Sequence, residues 1–250
     1  MRKLLSISSL LLFWLPRATT AQVHIQVEPL GPLKLSYGVR VGGQLTGMTA
    51  AAPDFRALET RNNYWGGQAG LVFEAALGWL SLQPAIVFTQ KGYREKQTGT
   101  IELQGVTYKN NSLTYLRLNY LVVPVNMVAT VHGVQLLAGP YLGVGLSGHY
   151  HDEFDKPMRT SEYYQTYAAT SFKRDSEVTF GKVDPYAVNA FRRLDAGYQV
   201  GIGYKLGSWQ AQATYSHGVK NVYPSPYIGY NPQSKNRGFM LDATYFFANN

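Results

Sequence analysis

The sequence predicts an all-β chain: an eight-stranded antiparallel up-and-down transmembrane β-barrel with short periplasmic turns and long extracellular loops. Three observations predict it. Apolar and polar residues alternate with period two along eight segments, the pattern of strands wetted on one face only. The connections between these segments run long, short, long, short, long, short, long, which is the rhythm of a barrel in the outer membrane. After the first twenty residues, no stretch approaches the roughly twenty apolar residues that a membrane-spanning helix needs.

The chain opens with Met1-Arg2-Lys3, an apolar run from Leu4 to Leu15, then Pro16 and Thr19-Thr20-Ala21. A basic start, a short apolar core and small residues before a cut predict a signal peptide over 1–21, cleaved after Ala21. The competing reading is an uncleaved anchor, which the short apolar run disfavours. Removing Arg2, Lys3 and Arg17 from the 23 basic residues leaves 20 against 15 acidic ones. That excess is unclustered, so nucleic acid is not an expected partner. Cysteine is absent, which excludes disulfides and thiol catalysis.

Residues 22–33 contain Pro29 and Pro32 and read as a periplasmic lead-in to a barrel domain over 34–247. In the first strand Leu35, Tyr37, Val39, Val41 and Leu45 oppose Lys34, Ser36, Arg40, Gln44 and Thr46. Thr49 to Tyr64 breaks the pattern and reads as a loop. The second strand sets Ala69, Leu71, Phe73, Ala75 and Leu77 against Gln68, Gly70, Glu74 and Ala76, and Gly78 turns the chain. The third sets Leu80, Leu82, Pro84, Ile86 and Phe88 against Ser81, Gln83, Thr89 and Lys91. Arg94 to Leu113 is polar and reads as a long connection, or a hairpin extended beyond the bilayer.

The fourth strand, Thr114 to Val131, begins with Leu116, Leu118 and Tyr120 against Arg117 and Asn119. Phase is lost at Leu121-Val122-Val123 beside Pro124, which predicts a bulge there. After His132-Gly133, the fifth strand sets Leu136, Ala138, Pro140, Leu142, Val144 and Leu146 against Gln135, Gly139, Gly143, Gly145 and Ser147. His151 to Arg192 reads as the longest irregular stretch, with Asp184-Pro185 opening a short helix over Tyr186 to Arg192. The sixth strand alternates from Leu194 to Leu206, and Gly207-Ser208 turns into the seventh, with Trp209, Ala211, Ala213 and Tyr215 on one face. Lys220 to Asn236, with three prolines, is a loop. The last strand sets Phe239, Leu241, Ala243, Tyr245 and Phe247 against Gly238, Met240, Asp242, Thr244 and Phe246.

Alternation alone does not choose between an apolar face turned to lipid and one turned to a ligand, as in a soluble lipocalin-like barrel. Two features choose lipid. Glycines gather on the polar face (Gly38, Gly42, Gly139, Gly143, Gly145, Gly197, Gly201, Gly203), leaving room in a narrow interior for Arg40, Glu74, Lys91, Arg117, Asp195, Lys205 and Asp242. Aromatic residues also gather near the strand ends of the apolar face. Tyr37, Tyr204, Trp209, Tyr245 and Phe247 are expected low, and Phe88, Tyr120, Tyr198, Tyr215 and Phe239 high, as two interfacial belts. The alternative is ordinary core aromatics in a soluble sandwich.

Several segments together resemble the PorT-type outer-membrane β-barrel proteins of Gram-negative bacteria. They are Pro84 to Gly92 (PAIVFTQKG), Tyr120 to Val125 (YLVVPV), Ala138 to Gly145 (AGPYLGVG), Asp195 to Tyr204 (DAGYQVGIGY) and the closing strand. Ala196 and His149 depart from the family's pattern. The resemblance implies the fold and the outer membrane, and links the chain loosely to type IX secretion and gliding. It carries over no functional residue.

Three chemistries remain to be weighed. His149 and His151 share a strand face, and Asp152 or Glu153 could complete a metal site, although a polar strand end entering a loop often has this composition. Ser216 and His217, with Asp195 or Asp242, suggest a lipid hydrolase, yet adjacent strand residues face opposite sides. An interior as narrow as eight strands allow leaves no aqueous channel. No catalytic, cofactor-binding or metal residue is therefore assigned, and no cofactor is expected. The expected protein is non-enzymatic, with loops serving partner contact, envelope integrity or secretion. Its expected partners are outer-membrane lipid and lipopolysaccharide, the barrel assembly machinery during insertion, and an envelope or secretion protein. The alternatives are an outer-membrane enzyme centred on the strand-five histidines and a soluble ligand-binding barrel.

Overall fold

Strands account for all the regular structure in the computed structural model, which describes residues 31–49, 61–103, 106–159, 167–181, 190–224 and 234–247. The expected signal peptide and most of the lead-in lie outside these residues. The strands are β1 (Leu33–Met48), β2 (Arg61–Leu77), β3 (Leu80–Leu103), β4 (Val106–Val131), β5 (Val134–Arg159), β6 (Tyr167–Glu177), β7 (Thr179–Phe180), β8 (Ala190–Phe191), β9 (Leu194–Leu206), β10 (Trp209–Gly218) and β11 (Asn236–Phe247).

Eight of them correspond to the eight expected segments. Antiparallel ladders join β1 to β2, β2 to β3, β3 to β4 and β4 to β5. They continue from β5 to β9, β9 to β10, β10 to β11 and β11 back to β1, in the register Gly42↔Asp242. At one end, here the lower, the hairpins close in two residues. His132 and Gly133 both have positive φ (51° and 84°), the pattern of a type I′ turn, and Gly78 (61°) and Gly207 (58°) supply it at the first turn position.

The sides of this wall are inverted relative to a water-soluble protein. Leu136 is 63% exposed and Leu241 70%, whereas Arg40, Glu74, Lys91, Asp195 and Asp242 are buried. A lipocalin-like barrel would bury the apolar face, so that alternative is overturned. β11 shows the arrangement without interruption, alternating buried and outward residues along its whole length. From Arg237 to Phe247 is ten steps, about 33 Å of strand, and a tilt of about 40° makes that about 25 Å of depth, the height of a membrane barrel's apolar band. Aromatic contacts mark the lower edge, with ring centroids 5.3 Å apart in Tyr37–Phe247 and 4.9 Å in Trp209–Tyr245. Tyr215 and Phe239 pair higher up, also at 4.9 Å.

Above the band the structure departs from the expectations. One expectation holds there: Arg94 to Leu113, read as a long connection or a hairpin extended beyond the bilayer, is the hairpin, paired as far as Leu103↔Val106. Much of the expected irregular stretch from His151 is likewise paired, since β5 runs to Arg159 and β6 returns along it from Tyr167. β2 begins at Arg61, inside the expected loop. Of the expected helix over 186–192, residues 186–189 lie outside the described residues, and Ala190–Phe191 is a strand paired in parallel with Thr179–Phe180.

The largest correction concerns β4. Leu116, Leu118 and Tyr120 face inward and are fully buried, while Arg117 and Asn119 face outward. Arg117 is thus not a lining residue, and Tyr120 is not in the upper belt. β4 keeps one phase throughout, with Val122, Asn126 and Val128 also inside. The apparent slip arises because the preferred side for apolar groups reverses where lipid gives way to water outside. The bulge lies at this height but on β5: Asn119 pairs with Ser147 and Tyr120 with Gly145, leaving Leu146 as the extra residue. Ser147, expected inside, turns outward past it.

Candidate functional site

The space enclosed by the ladders is filled by side chains in three tiers. In the lowest, Glu74 pairs with Lys205 and accepts hydrogen bonds from Ser36 Oγ (3.0 Å) and Gln83 Nε2 (2.8 Å). Gln83, Gln135, Gln210 and Gln212 extend this tier as a chain of side-chain hydrogen bonds. In the middle, Arg40 donates to Thr244 Oγ1 (3.1 Å) and Gln212 Oε1 (3.0 Å). Asp242 accepts a hydrogen bond from Gln68 and interacts with Arg40 through charge. Asp242 has room because a Cβ on Gly42 would lie 2.0 Å from its Oδ1.

In the upper polar tier, Asp195 Oδ2 accepts from Lys91 Nζ (2.8 Å), Asn236 Nδ2 (3.0 Å) and the Tyr141 hydroxyl (3.3 Å). The Lys91 ammonium also lies 4.5 Å from the centre of the Tyr141 ring. The hollow between Arg40, Lys91 and Asp242 measures about 20 Å³, room for roughly one water. Above these tiers sits an apolar cap of Met48, Tyr93, Leu116, Leu118, Tyr120 and Phe191, with Phe180 and Tyr223 packed on it. Polar pairing within the wall and apolar packing at its mouth thus fill the interior together.

Beyond the band, β3, β4, β5 and β6 stand as a four-stranded sheet. Its outward face carries a histidine–carboxylate cluster. His151 Nδ1 lies 2.7 Å and His149 Nε2 3.3 Å from the same atom, Asp175 Oδ1. Glu177 is 3.6 Å from His149 Nδ1, and Glu153 is 3.5 Å from His151 Nε2. All four ring nitrogens therefore face carboxylate oxygens. Among the described residues, no group of three or more His, Asp or Glu is disposed to hold a metal ion.

The sequence from residue 21 to 223 matches the family described as outer membrane protein beta-barrel domain. The chain belongs to this family. The match stops short of β11, which the structure joins to both β1 and β10. No curated protein matches the chain. Among solved structures, Ail, the attachment invasion locus protein of Yersinia pestis, is 12% identical, covering 85% of this chain and 98% of its own, with a TM-score of 0.36. Neisserial surface protein A (NspA) is 11% identical over 86% of this chain and 99% of its own, with a TM-score of 0.38. Likeness at this level carries no inference about partners or chemistry.

Within this outer-membrane β-barrel protein, the weighed chemistries find these places. Ser216 is buried inside the wall, while His217 faces outward between Tyr198 and Tyr215, so the two lie on opposite faces. Asp175, which sequence reasoning missed because it lies on β6 within the expected irregular stretch, is the residue that joins the two histidines. Hydrogen bonding from His151 holds its carboxyl below the ordinary value of 3.8. A lowered folded-state value stabilises above the unfolded value and stops doing so as pH falls through the folded one. Protection of β6 amides from hydrogen exchange is therefore expected to be steady above about pH 4 and to fall in more acid solution. In His151→Ala the carboxyl moves back towards 3.8, so protection above about pH 4 should be lower and its fall in acid smaller; an unchanged profile would show that the contact does not hold β6.

Proposed function

We propose that the ring of ladders is a closed eight-stranded transmembrane barrel with its two-residue turns and both chain ends on the periplasmic side. Residues 1–21 act as a cleaved signal peptide, 22–33 as a lead-in and 34–247 as the barrel domain. The barrel is a non-enzymatic anchor that carries the β3–β6 sheet beyond the membrane for partner contact, in the service of envelope integrity or PorT-like protein secretion. Outer-membrane lipid surrounds it, lipopolysaccharide included, and the barrel assembly machinery inserts it.

The observation that carries this is the division of labour along β3, β4 and β5. Their lower halves complete the wall, whereas their upper halves stay paired for up to about 50 Å past Phe88 without being needed to close it. Polar lining and apolar cap obstruct a conduit, and both histidines are engaged by carboxylates, so the exposed sheet is the element left for a task outside the wall. The test replaces 96–113 and, separately, 155–171 by Asn-Gly, which keeps the pairs Glu95↔Thr114 and Phe154↔Phe172 beside each new turn. Heat-modifiable gel migration should persist in both trimmed chains, while detergent resistance or the profile of secreted proteins should change. Trimmed chains that match wild type in both cellular assays would refute a role for the sheet.

A further inference from the structure

On its outer side the barrel wall is not uniform. Across β9, β10 and β11 it carries a groove of about 860 Å³ at mid-height. Ala211 and Ala243, paired in register, form its floor with Ala213, and Ile202, Tyr204 and Leu241 stand up as its walls. On β1 the groove is bounded by Val41 and Gly42. On the far side of the barrel the outer residues are bulky, including Leu121, Val123 and Met127 on β4.

Directly above the groove the rim is basic. Arg237 and His217 are paired in register on β11 and β10, and Arg193, Lys220 and Arg237 are exposed. The described residues 190–224 and 234–247 hold two acids, Asp195 and Asp242, both buried inside the wall. The carboxylates of the sheet beyond the band lie on β3, β5 and β6. This sector of rim therefore carries positive charge without outward-facing acids of its own.

We propose that the β9–β11 face holds one phosphorylated lipid of the outer leaflet, its phosphate on the Arg193, Lys220 and Arg237 rim and an acyl chain in the groove. The proposal rests on the orientation proposed above. Four residues separate Arg237 from Leu241, about 13 Å of strand, which is about 10 Å of depth at a tilt of about 40°. A chain descending from a phosphate at Arg237 thus enters the groove within its own leaflet. Shape and charge favour lipid over a second copy of the barrel. Two concave faces brought together would enclose a void, whose lining loses its packing contacts, and their basic rims would repel. A flexible chain fills the hollow, and its phosphate neutralises the rim.

The test extracts the assembled protein in detergent and measures retained lipid by native mass spectrometry, with dioleoylphosphatidylglycerol and dioleoylphosphatidylcholine as probes. One phosphatidylglycerol should be retained at least tenfold more strongly than phosphatidylcholine. Ala211→Leu combined with Ala243→Leu fills the groove and should reduce retention of both lipids about tenfold. Replacing Arg193, Lys220 and Arg237 together by Gln should abolish the anionic preference while leaving the groove intact. Val123→Leu on β4 should change neither. Should the double variant fail to assemble, Ala243→Leu alone serves instead. Undiminished retention by a folded, groove-filled variant, or a preference that survives loss of the three cations, overturns the proposal. Failure of the wild-type chain to show heat-modifiable migration would instead refute the membrane orientation on which it rests.

Discussion

Replacing Asp195 by alanine is expected to destabilise the barrel by about 3–5 kcal/mol, the effect of stranding one partner of a buried ion pair. Asp195 is 2% exposed, and its Oδ2 receives Lys91, Tyr141 and Asn236 together. Alanine leaves a buried ammonium, a hydroxyl and an amide with no acceptor in their place, and each loses a contact that offset its removal from water. The measurement is the denaturant midpoint for loss of heat-modifiable migration. Combining Asp195→Leu with Lys91→Met should recover most of the loss, because removing both charges removes the stranded one. A double variant as unstable as Asp195→Ala would show that the site needs polarity itself and not a balanced pair.

Leu241→Arg is expected to cost about 2–4 kcal/mol, the range for a cation near the midplane of a membrane barrel's outer face. Leu241 is outward, lies four residues below Arg237 and six above Phe247, and faces Gly43 and Ala213 across its two ladders. A guanidinium there has neither water nor a neighbouring acid within the wall's outer face. Leu33→Arg is the comparison, since Leu33 is outward at the lower end of β1, near the turns. Near an interface the same substitution should cost about 0–1 kcal/mol. Folding yield into vesicles at both positions reads the difference, and equal yields would refute the placement of the band.

The interior charges were legible where strand and environment agreed. Arg40, Glu74, Lys91, Asp195, Lys205 and Asp242 all turn into the wall, because each occupies the polar phase of a strand whose other phase meets lipid. Arg117 shows the boundary of that inference. It follows the same alternation, yet lies above the band, where Leu116, Leu118 and Tyr120 gain by turning inward and leave Arg117 the outer face. Asp175 was hidden for another reason. Its segment has no clear apolar period, and it becomes a strand because β5 offers a ladder from His149 to Arg159 for it to complete. Pairing, and not pattern, brings Asp175 to both histidines.

What the sequence determined by itself is the set of faces within the membrane. Side chains alternate on any extended strand, so period-two patterning states which residues share a side before any partner strand is known, as β11 demonstrates from Gly238 to Phe247. The fold class followed, because alternating strands joined by tight turns leave few ways to satisfy their edges. What the tertiary structure decided is where the surroundings change. The height at which apolar residues switch from the outside of β4 to the inside, the bulge on β5, and the partner of Asp242 each depend on neighbours remote in sequence. Alternation is a property of one strand, whereas inside, outside and partnership are properties of the strands taken together.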